Sequence, residues 1–269
     1  MLFETQVEVR ANKILGAEIF LLTLHAPDIA RAALPGQFVM LQASPSPEPL
    51  LRRPMSFCQI GPSGSPATGP ETFRILYQVA GSGTRLMTRL VPGDTLSCLG
   101  PLGRGFPLLP GGHPRRVVLV AGGIGLAPFP FMAERLRGSG IAWTLLYGAR
   151  SAGQIVGVDW FRQLGGDPVL VTEDGSVGEK GFVTAPLARM VEEDRDGIEV
   201  YACGPDPMLR AVARVCREGG VPCRLSLEAV MPCGFGVCLG CGVEANRPEG
   251  GYLRICTDGP VFAGEEIRF

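Results

Sequence analysis

Hydrophobic periodicity changes character near residue 115, and the change divides the chain into stretches that cannot share one architecture. Before it, apolar residues recur with a period of two. Phe3-Glu4-Thr5-Gln6-Val7-Glu8-Val9-Arg10 alternates along its length, and Ile19 to Leu24, Gln37 to Gln42, Arg53 to Ile60, Phe73 to Val79 and Thr95 to Leu99 are strand-like too. The stretch Ala43 to Leu50, with Ser and Pro interleaved, and Gly61 to Pro70 read as loops. Strands at this spacing predict an antiparallel barrel or sandwich. After it, Arg116-Val117-Val118-Leu119-Val120-Ala121 is a continuous apolar run, as expected of a strand buried on both faces of a parallel sheet. A helix is expected over Pro128 to Arg137, then strands at Ala142 to Tyr147, Pro168 to Thr172 and Ile198 to Ala202, with helices at Ala185 to Glu193 and Pro207 to Glu218. That is the rhythm of a doubly wound α/β domain. The final forty-odd residues are rich in glycine and cysteine with little periodicity, as in a loop held by a metal centre. The expected organisation is an α+β multidomain protein: a β-barrel over 1–110, an α/β domain over 111–224 and a small cluster-bearing segment over 225–269.

Composition narrows the class. The 269 residues are 46% hydrophobic and 19% charged, which suits a soluble chain with a sizeable core. A net charge of −1 provides no basic field for nucleic acid or anionic lipid. The longest apolar run, Val117 to Met132, is broken by Gly122, Gly123, Gly125, Pro128 and Pro130 and falls short of the roughly 20 residues that span a bilayer. Glu4 and Glu8 stand where a secretory signal would need an apolar core, so a cytoplasmic protein is expected.

Nine cysteines in such a protein call for metal ligation or redox chemistry more than for disulfides. Cys58, Cys98, Cys203, Cys216 and Cys223 are scattered, and small buried hydrophobes are their default role. Cys233, Cys238, Cys241 and Cys256 crowd together as Cys-x4-Cys-x2-Cys-x14-Cys, the plant-type spacing for a [2Fe–2S] cluster. Gly234, Gly236 and Gly240 allow the tight loop that aims amide N–H groups at the sulfurs. A zinc site remains open, although only one Cys-x2-Cys pair is present. The two histidines, His25 and His113, are too far apart to build a histidine-rich site.

Two further glycine motifs fall at strand ends. Ala121-Gly122-Gly123-Ile124-Gly125-Leu126-Ala127-Pro128 opens a helix, where a pyrophosphate meets backbone N–H groups and the positive end of the helix dipole. It is not the common G-x-G-x-x-G fingerprint, and a turn required only for packing has the same look. Cys203-Gly204-Pro205-Asp206-Pro207-Met208 also lies between strand and helix, and together the two favour a nicotinamide dinucleotide. In the first segment, Arg53-Pro54-Met55-Ser56 and Gly81-Ser82-Gly83-Thr84, the latter after Leu76-Tyr77-Gln78, offer an arginine and a glycine-threonine turn to a second pyrophosphate. Each alone is compatible with ordinary surface chemistry.

Their order along the chain is informative. A barrel with R-x-x-S, then G-x-G-T, GGIGLAP and CGP, resembles the ferredoxin-NADP reductase superfamily over residues 1 to about 225. Ser226-Leu227-Glu228 leading into Met231-Pro232-Cys233-Gly234-Phe235-Gly236-Val237-Cys238-Leu239-Gly240-Cys241, and then Cys256-Thr257-Asp258-Gly259-Pro260-Val261-Phe262, is similar to the electron-transfer subunits of class 1B dihydroorotate dehydrogenases. The resemblance implies FAD held by Arg53, Pro54, Met55, Ser56, Leu76, Tyr77, Gln78, Gly81, Gly83 and Thr84. It implies NAD across Gly122, Gly123, Gly125 and Pro128 and across Cys203, Gly204, Pro205 and Met208, and a [2Fe–2S] cluster on the four clustered cysteines. Met55 stands where most ferredoxin reductases place an aromatic residue on the flavin. The resemblance further implies an FMN-containing dihydroorotate dehydrogenase catalytic subunit as partner, in a two-plus-two heterotetramer serving pyrimidine biosynthesis. Sulfhydrogenase and NADH-dependent ferredoxin:NADP reductase subunits share the architecture, and a redox-sensing module that does not turn over is a rival of a different class. Arg150, after Leu145 to Ala149, is a potential 2′-phosphate contact, so the choice of NAD over NADP rests on the resemblance. No catalytic acid or base is assigned. NADH yields two electrons as hydride and the cluster accepts one at a time, so the flavin belongs between them.

Overall fold

The computed structural model describes residues 3–42, 48–61, 69–107 and 115–269. His113, the barrel–α/β junction at 110/111 and most of the two Ser/Pro- and Gly-rich loops lie outside the described residues. The first part is a seven-stranded antiparallel sheet made of β1 (Phe3–Gly16), β2 (Ile19–His25), β3 (Phe38–Leu41), β4 (Arg53–Ser56), β5 (Gln59–Ile60), β6 (Thr72–Gln78) and β7 (Thr95–Leu102). Their spatial order is β4-β3-β7-β1-β2-β6-β5. β4 and β5 are therefore opposite edges of the sheet, yet only Phe57 and Cys58 separate them in the chain. The sheet has to curl until its edges meet. Phe57 N–H donates to Gln37 next to β3 and Cys58 N–H to Arg74 on β6, so these two residues bridge the seam. The sequence reads Arg53 to Ile60 as one strand; the structure breaks it here because the chain must pass from one sheet edge to the other. Two short helices, α1 (Pro27–Ala32) and α2 (Ser82–Met87), complete the barrel. The latter covers the segment read from sequence as a glycine-threonine turn.

The second part is built on β8 (Arg116–Gly122), β9 (Ala142–Ala149), β10 (Val169–Thr172), β11 (Glu179–Lys180), β12 (Ile198–Cys203) and β13 (Cys223–Ser226), all parallel, in the order β11-β10-β9-β8-β12-β13. Helices α3 (Phe129–Gly138), α4 (Val158–Gln163), α5 (Thr184–Asp194) and α6 (Asp206–Gly219) flank the sheet. The apolar run of β8 is buried on both faces. Val117, Leu119 and Ala121 join a core with Phe129, Met132 and the barrel residues Leu21 and Leu76, whereas Val118 and Val120 join Leu187, Leu209 and Leu225. Barrel residues thus enter both cores, Leu21 and Leu76 the first and Phe38 and Met40 the second. A third core fills the barrel with Val7, Leu22, Phe57, Phe73, Ile75 and Tyr77.

The C-terminal segment is more ordered than its sequence suggests. β14 (Gly242–Glu244) and β15 (Tyr252–Arg254) form a hairpin, and β16 (Val261–Ala263) adds antiparallel to β13 at the edge of the parallel sheet. Residue 224, the expected end of the α/β domain, lies inside β13. Leu253, Ile255 and the sulfur-bearing Cys241 and Cys256 share the core beneath α5 and α6. Among the described residues, no helix is long and apolar enough to cross a membrane.

Candidate functional site

The chain leaves β8 towards β9 on one side and later returns to β12 on the other. The carboxyl ends of β8 and β12 therefore flank the point where strand order reverses, the place where open α/β sheets bind ligands. Both glycine motifs lie there, in mutual contact. A Cβ on Gly125 would stand 2.3 Å from the Cys203 carbonyl oxygen and 2.7 Å from Gly204 Cα. One on Gly122 would stand 2.5 Å from Met208 Sδ, and one on Gly204 would stand 2.6 Å from Met208 Cε. Gly125 needs to be glycine because two backbones touch there, whereas at Gly122 and Gly204 the nearest obstacle is the Met208 side chain. Gly123 has φ +54 with open space around its Cα, as at a surface kept clear for a ligand. Pro128 is the N-cap of α3 and Pro205 that of α6. The Cys203 thiol is buried, which pushes its pKa up and keeps it neutral.

A cleft of about 140 Å³ opens where the barrel meets the chain leaving β13. Phe38, Pro54 and Ser56 form its barrel wall, and Ser226, Glu228 and Pro260 are among the residues opposite. Pro54 and Ser56 alternate with Met55, whose side chain packs into the barrel core. Glu228 is the one carboxylate that lines the cleft among the described residues. Sequence reasoning quoted Ser226-Leu227-Glu228 only as a family signature; the pairing of β13 with β12 is what swings these residues into the cleft. Pro260 too lies in a family signature, whereas Phe38 left no signal beyond its strand pattern.

Arg53 and Gly83 are brought together: a Cβ on Gly83 would stand 2.1 Å from Arg53 Nε. Arg53 also donates to the Leu51 carbonyl. Thr84 Oγ1 accepts the N–H groups of Ala80 at 2.9 Å and Gly81 at 3.1 Å, fixing the turn into α2. A guanidinium laid over a glycine backbone suits a pyrophosphate. On β6 the side chains diverge. Tyr77 turns into the barrel, stacks on Phe20 at 5.4 Å and donates to Asn12 Oδ1, with its phenol pushed up to about 12 by burial. Leu76 packs in the core shared with the α/β domain, and Gln78 is half-buried at the strand end.

The four clustered cysteines fall into two pairs. Cys241 and Cys256 are buried with their sulfurs 3.2 Å apart, and the Cys256 N–H donates to Cys241 Sγ at 3.4 Å. Cys233 pairs with Cys238. Burial raises the Cys233 thiol, but hydrogen bonds from the Cys238, Phe235 and Val237 amides and from the Cys238 side chain prevail and lower it to about 6. Gly240 N–H donates to Cys238 Sγ at 3.4 Å. The loop joining Cys233 to Cys238 is held by Gly234 (φ +83) against Met40 of β3 and by Gly236 (φ +88) against Thr257. Among the described residues, no three cysteine, histidine or carboxylate side chains converge on a single ion. Two thiolate pairs flanked by amide donors suit a binuclear cluster, in which each iron takes two thiolates, better than one tetrahedral zinc. Thr257 Oγ1, buried without a partner beside the loop, is a donor that a cluster sulfur would satisfy. The remaining cysteines, Cys58, Cys98, Cys216 and Cys223, are buried.

Comparison with known proteins agrees with this geometry. Residues 228–268 match the iron-sulfur cluster binding domain of dihydroorotate dehydrogenase B, and residues 119–214 match an oxidoreductase NAD-binding domain. The chain is 37% identical to the dihydroorotate dehydrogenase B (NAD(+)) electron transfer subunit of Geobacillus kaustophilus, covering 99% of each chain. It is 36% identical to that of Desulforamulus reducens, covering 97% of this chain and 96% of the relative. Among solved structures, an NADH-dependent reduced ferredoxin-NADP oxidoreductase superposes with a TM-score of 0.80 at 28% identity, over 97% of this chain and 89% of that one. A ferredoxin reductase of carbazole 1,9a-dioxygenase, at 22% identity and a TM-score of 0.65, covers 82% of this chain and 67% of its own and shares the fold. With near-complete coverage of its relatives and a cluster loop of the same kind, the chain belongs to the family of electron transfer subunits of NAD(+)-dependent dihydroorotate dehydrogenase B.

Proposed function

We propose that this chain carries electrons between a dihydroorotate dehydrogenase catalytic subunit and NAD⁺ through a [2Fe–2S] cluster and FAD. The observation that supports it most is the path of one short segment. Ser226 pairs with Cys203 at the nucleotide motif, Ser226 to Glu228 and Met231 line the cleft, and Cys233 begins the cluster loop two residues later. The three sites lie in series along eight residues. When bound, FAD exchanges two electrons with the nicotinamide as hydride and single electrons with the cluster. The chain's own residues do the positioning. Gly122, Gly123, Gly125, Gly204 and Pro205 shape the dinucleotide surface, Arg53 and Gly83 hold the flavin pyrophosphate, and Ser56 faces the cleft as a hydrogen-bond partner for the ring. Cys233, Cys238, Cys241 and Cys256 would hold the cluster.

In this reading, residues 1–110 carry the flavin, 111–224 the dinucleotide and 225–269 the cluster, in the cytoplasm. Cys238 is exposed, and Phe235, Val237 and Leu239 beside it are 47%, 73% and 66% exposed. An apolar rim around a redox centre is the face for the FMN-bearing catalytic partner, two copies of each chain forming the assembly. The test is anaerobic NADH-dependent orotate reduction, with this chain alone and with the catalytic chain. Activity that needs both chains and disappears in Cys238→Ser, while NADH still bleaches the flavin, supports the reading. Bleaching of flavin and cluster without orotate reduction under any pairing would transfer the chain to a ferredoxin-type partner.

A further inference from the structure

A second concave surface lies away from the three redox sites, in the seam between α6 and the C-terminal strands. It encloses about 530 Å³, a volume typical of small-molecule sites. Arg210, Arg214 and Arg217 project from α6 at i, i+4 and i+7, which places them on one stripe of the helix. Arg268 and Asn246 face them from the C-terminal segment, and Phe269 closes one end. No aspartate or glutamate side chain lines the groove. Four arginines meet here in a chain whose net charge is −1.

Their partners are unevenly shared. Arg210 donates to Asp206 Oδ2 at 2.9 Å, one turn earlier on α6, and Arg268 to Glu244 Oε1 at 3.1 Å. Arg214 and Arg217 have no ion pair among the described residues, although Glu218 follows on the same helix. The floor, which includes Ala211, Ala213 and Gly264, is small-chained and leaves room above it. Ordinary solvated arginines on a helix spread apart into water. Here Arg268 lines the same groove as the three arginines of α6. Asp206 and Glu244 answer only Arg210 and Arg268, so the groove keeps positive charge that an anion would neutralise. The guanidinium fork fits phosphate oxygens two at a time, and its charge persists at any working pH. At one end the Arg210 guanidinium covers one face of the Phe269 ring at 5.2 Å, and Phe269 keeps 37% of its surface exposed for a heterocyclic base.

We propose that this groove binds a nucleoside polyphosphate, with the phosphates on Arg214, Arg217 and Arg268 and the base against Phe269. Its place adds a consequence. One wall is the helix that begins at the Cys203–Met208 motif, and the other is the segment that carries Cys241 and Cys256. A ligand bridging them braces the dinucleotide site against the cluster segment.

The holoprotein, saturated with NAD⁺ to close the dinucleotide site, is titrated calorimetrically with tripolyphosphate and with ATP. The expected result is one saturable site for each probe, ATP the tighter, weakened when salt is raised. Arg214→Gln/Arg217→Gln, on an exposed face outside the redox sites, should weaken both at least tenfold while flavin and cluster absorbance stay unchanged. Phe269→Ala should weaken ATP and leave tripolyphosphate unaffected. Absence of a saturable site, or equal binding by the double variant, overturns the proposal. So does a double variant that binds neither probe less well but fails to assemble with the catalytic chain, since the groove is then a protein contact. None of these readouts depends on orotate reduction.

Discussion

Gly125→Ala tests whether the two nucleotide motifs are held in place by backbone contact. The added methyl carbon would stand 2.3 Å from the Cys203 carbonyl oxygen and 2.5 Å from its carbonyl carbon. An ordinary carbon–oxygen approach is about 3.4 Å. The turn after β8 and the end of β12 must therefore separate by about 1 Å. Neither obstructing atom is the tip of a flexible side chain, so the strain cannot be relieved by a rotamer change. Overpacking of this kind costs about 1–3 kcal/mol. The larger effect falls on chemistry, since misplacing a bound reactant by about 1 Å slows its reaction about a hundredfold. Anaerobic stopped-flow absorbance would follow bleaching of the flavin by NADH, alongside thermal melting by circular dichroism. Gly138→Ala at the end of α3 is the control, because nothing lies within 4 Å of its added Cβ and its φ is ordinary. It should melt at or slightly above the parent temperature and bleach normally. A Gly125→Ala protein with parental melting and parental bleaching would refute the view that this contact positions the dinucleotide.

Other predictions concern the barrel and a buried charge. Arg53→Gln removes the guanidinium that overlies Gly83, and loss of charge-assisted contacts worth about 1.5–3 kcal/mol should weaken FAD retention by tenfold or more. The flavin-to-protein ratio after gel filtration and a fluorescence titration with FAD would measure it, and an unchanged ratio would remove Arg53 from the site. Glu199 is 1% exposed, has Oε2 without a partner, and pairs with Arg224 at 3.3 Å. Burial raises its pKa above the ordinary 4.5 more than Arg224 lowers it. Its contribution to stability is thus fully present below about pH 4.5 and is lost as pH rises through the folded-state value. Glu199→Gln should abolish that component, so the parent's melting temperature should fall relative to the variant's as pH is raised from 4.5 to 8. Parallel melting curves across that range would show that the carboxylate is not desolvated in the folded protein.

The elements that the sequence predicts well are those whose pattern is local. The alternation of β1, β2 and β6 is visible because one face of each strand lines the barrel interior. The unbroken apolar run of β8 is visible because both of its faces are covered. The cysteine spacing announces the cluster because ligands that close a tight loop have to be near one another in the chain. Glycine motifs at strand ends could be located too, although only their mutual approach explains why Gly125 has no room for a side chain. Met55 and Tyr77 illustrate the limit of such reading. Both lie in motifs, yet strand alternation turns their side chains into the barrel core while Pro54 and Ser56 face the cleft.

What the sequence determined by itself is the succession of a barrel, a doubly wound domain and a cysteine-bearing segment, together with the residue types suited to flavin, dinucleotide and cluster. Tertiary structure alone decided how those parts share space. The break at Phe57–Cys58 exists because β4 and β5 are neighbours in the chain and opposite edges of the sheet. β16 is a strand because β13 presents an unpaired edge with backbone groups to satisfy, a requirement no local window reveals. Glu228 enters the cleft, and Arg268 lines the same groove as Arg214, for the same reason. Such contacts join residues distant along the chain, so their energy depends on which surfaces meet and leaves no periodic trace in the sequence.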